Sequence, residues 1–278
     1  MKKFFVVAAF AALIPVSVLA QTAGQLSKDA TNWTGFYAGF NAGGTVSSSN
    51  AQTSTVYSTT GWFAPSSPPA IAIAGNQNLS PQGYVLGGQF GYNRQIAPRW
   101  VLGAEADFGA FEASDSASRT AVYPCCSPYT FTVAQSVSTT WLATIRPRVG
   151  YAVTGRSLLF ISGGAAKTQL NYSSLFTDDE SNNNESASVA MLKTGWVLGG
   201  GWEYALNRYL SARAEYLYAD FGSVSSAGTV MTSNYTPIIG TVRTSNYAAS
   251  STPWPQNPFS HSATLTSNIA RIAVNYRF

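Results

Sequence analysis

Nine ionisable side chains recur in stretches that are otherwise apolar or small: Glu105, Asp107, Arg146, Arg148, Glu203, Arg213, Glu215, Arg271 and Arg277. Three kinds of chemistry could use them. Paired carboxylates can divide acid and base roles between them. Charged groups can line a narrow polar channel. Arginine and carboxylate can also fill a confined space with bidentate ion pairs. The choice depends on whether the nine face one another, and therefore on the elements that carry them.

Other candidates are weaker. Cys125 and Cys126 are adjacent, within Tyr123-Pro-Cys-Cys-Ser-Pro128, and an oxidising compartment favours a loop disulfide between them. Redox sensing or metal capture would need further ligands that the sequence does not supply. His261, the only histidine, falls between two serines near the end of a long loop, where a nucleophile and its base need a third group to orient them. Asp178-Asp-Glu180 lacks the ligand spacing of an EF-hand and reads as a solvated loop. The glycine runs, such as Gly163-Gly164 and Gly199–Gly201, are not followed by the Lys-Ser/Thr of a phosphate loop. They read as strand positions where the sheet curves or side chains crowd. No catalytic, cofactor or metal set emerges, and no basic run argues for nucleic acid.

The elements are strands. In Asn268–Phe278, Ala270, Ile272, Val274, Tyr276 and Phe278 alternate with Ile269, Arg271, Ala273, Asn275 and Arg277. Alternation sends the two sets to opposite faces, one a continuous apolar ribbon and the other bearing both arginines. Seven earlier stretches behave alike: 35–46, 82–94, 100–111, 139–152, 157–170, 193–205 and 208–221. Glu105 and Asp107 oppose Trp100, Leu102, Ala104, Ala106 and Phe108 on the third; Arg146 and Arg148 oppose Trp141, Ala143, Ile145 and Val149 on the fourth. The phase of 157–170 is ambiguous, and placing Lys167 and Gln169 inward turns Leu158 and Phe160 outward. Pro147 inside the fourth stretch predicts a bulge near Arg146–Arg148, because a closed sheet has no edge on which a missing donor is free.

An apolar face without charge at its centre suits lipid, with the polar face lining a barrel. Composition agrees. The 278 residues are 13% aromatic but only 10% charged, against about a quarter charged in soluble domains, and mean hydropathy is near zero. Met1–Ala20 reads as a cleaved signal peptide: Lys2 and Lys3, an apolar core, then Val18-Leu19-Ala20. Its loss lowers the formal net charge from +4 to +2. Residues 21–34 read as a loose periplasmic leader and 35–278 as the barrel. The connections Gln95–Arg99, Val153–Arg156 and Leu206–Asn207 are tight, whereas those between are several times longer and rich in Ser, Thr, Asn and Pro, the alternation of periplasmic turns and outer loops. Trp141 to Tyr151 spans about 33 Å at about 3.3 Å per residue. Tilted by about 40°, that projects to the roughly 25 Å height of the lipid-facing band.

The fold class expected is therefore all-β: an eight-stranded antiparallel transmembrane β-barrel with long extracellular loops and short periplasmic turns. Eight strands leave an interior that side chains fill, so a plug of ion pairs ranks above a small-solute channel, and acid–base catalysis comes last. Glu105 and Asp107 lie one strand from Arg146 and Arg148. Arg213 and Glu215 lie between Glu203 and Arg271, so opposite charges are expected to pair between neighbours around the wall.

Trp33-Thr-Gly-Phe-Tyr-Ala-Gly-Phe-Asn-Ala-Gly-Gly44, Gly103–Gly109, Trp141–Tyr151, Ala212–Gly222 and the terminal Tyr276-Arg-Phe278 resemble the porin-family surface-antigen barrels of Gram-negative bacteria. The resemblance covers all eight stretches and none of the long loops. It implies a small OmpA-like barrel in the outer membrane with a structural or surface-antigen role, not an enzyme. It also implies that Tyr276 and Phe278 act as an assembly signal. The partners implied are outer-membrane lipid, the barrel-assembly machinery during biogenesis and an unnamed extracellular ligand of the loops.

Overall fold

A computed structural model describes residues 31–233 and 252–278. The signal peptide and most of the leader, up to residue 30, lie outside the described residues. Within them, one antiparallel sheet comprises β1 (Gly35–Thr55), β2 (Gln77–Leu79), β3 (Gln82–Gln95), β4 (Trp100–Val122), β5 (Thr130–Ala152), β6 (Ser157–Asp178), β7 (Asn184–Ala205), β8 (Leu210–Ser233) and β9 (Thr252–Arg277). Each long strand pairs with the next, and β1 pairs with β9 from Tyr37↔Arg277 to Thr55↔Phe259, so eight strands close into a barrel. The short β2 adds to the upper part of β1. No helix among the described residues is long and apolar enough to cross a membrane.

The wall is inverted relative to a soluble protein. Phe40, Leu86, Phe108, Ile145, Leu198 and Ile272 are exposed, while Glu105, Asp107, Arg146, Arg148, Glu203 and Arg213 are buried. Aromatic rings cluster at the periplasmic end, Trp100 against Tyr151 and Tyr209 against Tyr276. Trp196 and Tyr218 meet at the other end. Such rings are most stable at the two interfaces of the bilayer.

The strands run well past that band. The second and third outer connections, expected as long loops, are mostly strand. β4 and β5 stay paired up to Val122↔Thr130, and β6 and β7 up to Thr177↔Asn184. Alternating Ser and Thr along 114–120 and 132–140 keep period two without apolar bulk on the outer face, so hydrogen bonding continues into water. Register shifts at Ala110/Ala113 and Thr139/Leu142 fall where band passes into extension, re-aiming the strands as bulges do. The first connection also contains a helix, α1 (Ser67–Gly75), with proline in its first turn.

Pro147 needs no bulge. The β4–β5 register runs unbroken through Ala104↔Pro147. On the other side, β5 keeps one register from Ile145↔Ala165 to Arg148↔Ser162, and only the two pairs between are missing. Facing that gap are Gly163 and Gly164; a Cβ on Gly164 would run into the Ile145 carbonyl oxygen. The glycines let β6 lie close where proline cannot donate.

The interior is filled in layers. At the periplasmic end Trp33 packs with Val101, Ala152, Leu158 and Ala205. The charged layer lies above it. Next comes an apolar layer including Phe111, Leu170, Phe221 and Ile269. A polar layer around His261 follows, and the top is an aromatic cluster of Phe63, Phe131, Phe176 and Phe259 that includes Ile71 and Ala74 of α1. The last residues of the leader are not loose: Thr31 donates to Gly155 O (2.7 Å) and Trp33 N to Gln95 Oε1 (3.1 Å).

Candidate functional site

Eight of the nine sequence-selected charges form one network in the charged layer. β5 supplies Arg146, which is 0% exposed. Its Nη2 donates to Glu105 Oε1 (2.6 Å) and Asp107 Oδ2 (2.8 Å), and its Nη1 to Glu215 Oε1 (2.8 Å). Two residues on, Arg148 reaches Glu203 Oε2 (3.0 Å). β8 supplies Arg213, which bonds Glu105 and Glu203. β9 supplies Arg271, bonded to Glu215 (2.7 Å) and Asp107 (3.1 Å).

The expected pairs between neighbouring strands are present, Arg146 with Glu105 and Asp107, Arg213 with Glu203 and Arg271 with Glu215. Beyond that scheme, Arg146–Glu215, Arg148–Glu203, Arg213–Glu105 and Arg271–Asp107 join strands that do not pair. In so narrow a barrel a guanidinium reaches the opposite wall, so the network spans the lumen. Four arginines meet four carboxylates, the balance that buried charges require. Arg277, the ninth charge, stands below: its Nη2 donates to Asn207 O (2.7 Å) and its guanidinium lies 5.0 Å from the Trp33 ring.

Neutral groups complete the layer. Tyr37 donates to Glu105 Oε2 (2.6 Å) and accepts from Arg148 Nη1 (3.0 Å). Thr144 donates to Asp107, and Ser211 and Asn275 to Glu203. Their inward phase was readable in the sequence, but their roles were not. Phe160 reverses the sequence reading. It lies inside with Leu158, its ring 4.0 Å from the Arg148 guanidinium and 5.1 Å from that of Arg213. Lys167 is instead exposed on the outer surface and Gln169 half-buried, so β6 has the opposite phase. A ring face beneath two guanidinium groups stabilises them where water is excluded, which outweighs any outward preference of Phe160.

The remaining candidates lie elsewhere. Cys125 and Cys126 are joined as a disulfide at the β4–β5 tip, and Ser67 Oγ of α1 lies 3.6 Å from Cys125 Sγ. Asp178 and Asp179 are structural. Asp178 accepts from Tyr123 (2.9 Å) and Asn183, and burial raises the Tyr123 phenol above its ordinary value. The Thr130 N–H bonded to Asp179 lowers that carboxyl. His261 is not in a loop but on β9, inside the extracellular extension and 2% exposed. Tyr276 and Phe278 are exposed at the periplasmic rim with ring centroids 5.2 Å apart, and Phe278 N donates to Phe36 O (3.0 Å).

Comparison with known proteins agrees with this geometry. Residues 6–278 match the family model of the outer membrane protein beta-barrel domain. The chain is 34% identical over 150 residues to the 31 kDa outer-membrane immunogenic protein of Brucella melitensis; the match covers 54% of this chain and 59% of that relative. Among solved structures, OprG of Pseudomonas aeruginosa is 11% identical with a TM-score of 0.43, covering 89% of this chain and 98% of that one. Neisserial surface protein A is 11% identical with a TM-score of 0.33, covering 88% and 98%. With the model match spanning nearly its whole length, the chain belongs to the outer membrane protein beta-barrel family and resides in the bacterial outer membrane.

Proposed function

We propose that the protein is a closed, non-conducting and non-enzymatic scaffold that holds a tall extracellular extension in place for interaction. The observation that carries this reading is Arg146, fully buried and bonded to carboxylates from β4 and β8 at once. A side chain tied across the lumen in this way blocks the path an ion would take. Apolar and aromatic layers above, and Trp33 below, add to the obstruction. The Brucella relative is described as immunogenic, which fits display of the extension to the outside. Signal cleavage after Ala20, insertion by the assembly machinery through Tyr276 and Phe278, and lipid around the apolar wall complete the reading.

The test is a planar bilayer measurement on purified, folded protein. Baseline current across a range of voltages is the expected result. Large, steady single-channel currents from the unmutated protein would overturn the plug and favour a small-solute channel.

A further inference from the structure

In the extracellular extension, one seam of the wall lacks its backbone ladder and is bridged there by Lys193 Nζ donating to Ser223 O (2.6 Å). β7 and β8 pair at Asn184↔Thr232 and again from Trp196↔Asp220 downward, but Glu185–Gly195 and Phe221–Met231 make no pairs with each other. The same length of chain separates the two ends on each strand, so the register is kept and only the ladder is missing. β8 is distorted over this same segment: Gly222 and Gly228 have φ of 68° and 81°, and its pairing with β9 shifts at three places between Asp220 and Met231. No other pair of neighbouring strands among the described residues leaves so long a gap.

His261 is placed behind the upper part of this seam. Its Nε2 lies 3.1 Å from Glu185 Oε1 on β7 and 3.1 Å from Thr229 Oγ1 on β8, and its Nδ1 lies 3.0 Å from Thr53 Oγ1 on β1. One imidazole on β9 thus joins both lips of the gap and the strand on its other side. Both members of the His261–Glu185 pair have side chains with 0% exposure. Glu185 Oε2 has no hydrogen-bond partner in the protein. Of the other groups set against the ring, Thr53, Thr229 and, through Thr53, Gln135 carry no charge. Tyr172 lies 6.5 Å away, and burial raises its phenol so that it stays protonated.

We propose that His261 is an acid-sensitive latch on the β7–β8 seam, closed while it shares one proton with Glu185 and released when the pair takes up a second. With one proton the pair is neutral overall, whether as an ion pair or as a neutral hydrogen bond. A second proton leaves a buried imidazolium without its counter-ion, a state that burial strongly disfavours. Water must then reach the ring. The route of least resistance is the seam, because no ladder has to break there.

Spin labels at exposed Ser188 and Ala227, on opposite lips of the seam, would read its width by pulsed dipolar spectroscopy of folded protein in detergent, with the Cys125–Cys126 disulfide intact. Lowering the pH from about 7.5 to about 3.5, through the ordinary carboxylate range in which a pair already holding one proton takes up its second, is expected to move the distance distribution to longer values. A control pair at Ser116 and Ser136, matched across the β4–β5 ladder, should not move. His261→Gln should abolish the acid response, whereas Glu185→Gln should move it to higher pH, because a single proton then leaves the imidazolium without its counter-ion. No shift in the unmutated protein, an equal shift at the control pair, or an unchanged response in either folded variant would overturn the latch. If neither variant folds, the two label pairs in the unmutated background decide.

Discussion

Arg146 shows how a single residue sets the character of the interior. Its three carboxylate partners and zero exposure mean that removing the partners strands a buried charge. Changing Glu105→Gln together with Asp107→Asn should lower stability by about 3–5 kcal/mol, read as an earlier urea midpoint by tryptophan fluorescence. An unchanged midpoint would mean that the network contributes little. Phe160 is the apolar counterpart, because its ring covers Arg148 and Arg213. Phe160→Ala should cost about 3–5 kcal/mol, the usual range for a buried ring. A cost near zero would return Phe160 to the lipid face, where the sequence reading first put it.

At the scale of the strand, facing is the property to test. Ala214 is exposed on β8 between Tyr209 and Tyr218, within the lipid-facing band, whereas Ser116 is exposed on β4 in the extension. Ala214→Arg should cost about 2–4 kcal/mol, and Ser116→Arg close to nothing, because the cost of an outward arginine depends on its depth in the bilayer. Equal tolerance at both positions would place the membrane band wrongly. The β5–β6 seam offers a second test. Gly164→Val pushes side-chain bulk into the Ile145 carbonyl at the place where Pro147 has already removed ladder bonds. Folding yield, measured as the heat-modifiable form on gels, should fall sharply. Deleting Phe278 should reduce the same form in outer-membrane fractions while leaving the unfolding midpoint of the assembled barrel nearly unchanged, since its side chain is exposed.

For the whole molecule, the position of the charges decides how solvent acts on them. Surface ion pairs weaken as salt shortens the Debye length to about 3 Å at 1 M. The pairs here lie inside a closed wall, with side chains at most 4% exposed. Raising sodium chloride from low concentration to about 1 M should therefore leave the urea midpoint of the barrel nearly unchanged. A large fall would show that water and ions reach the charged layer, and would count against a closed interior.

Much of this barrel is local information. Period-two alternation and the absence of charge at the centre of each apolar face specify strands in lipid. They also place Glu105, Asp107, Arg146, Arg148, Glu203, Arg213, Glu215 and Arg271 on the inner face without any knowledge of their partners. The short periplasmic turns were legible for the same reason. What failed was decided between strands. The phase of β6 was ambiguous because Gly163-Gly164 and the small residues after them weaken alternation, and only the cation-stacking position beneath Arg148 and Arg213 selects Phe160 inward. Lumen-crossing pairs depend on barrel radius and strand stagger, which no single strand encodes. The length of the extension was hidden because serine and threonine suit loops and water-exposed strands alike. The site of His261 depends on three other strands, from Thr53 to Thr229 in the chain, that meet only when the barrel closes.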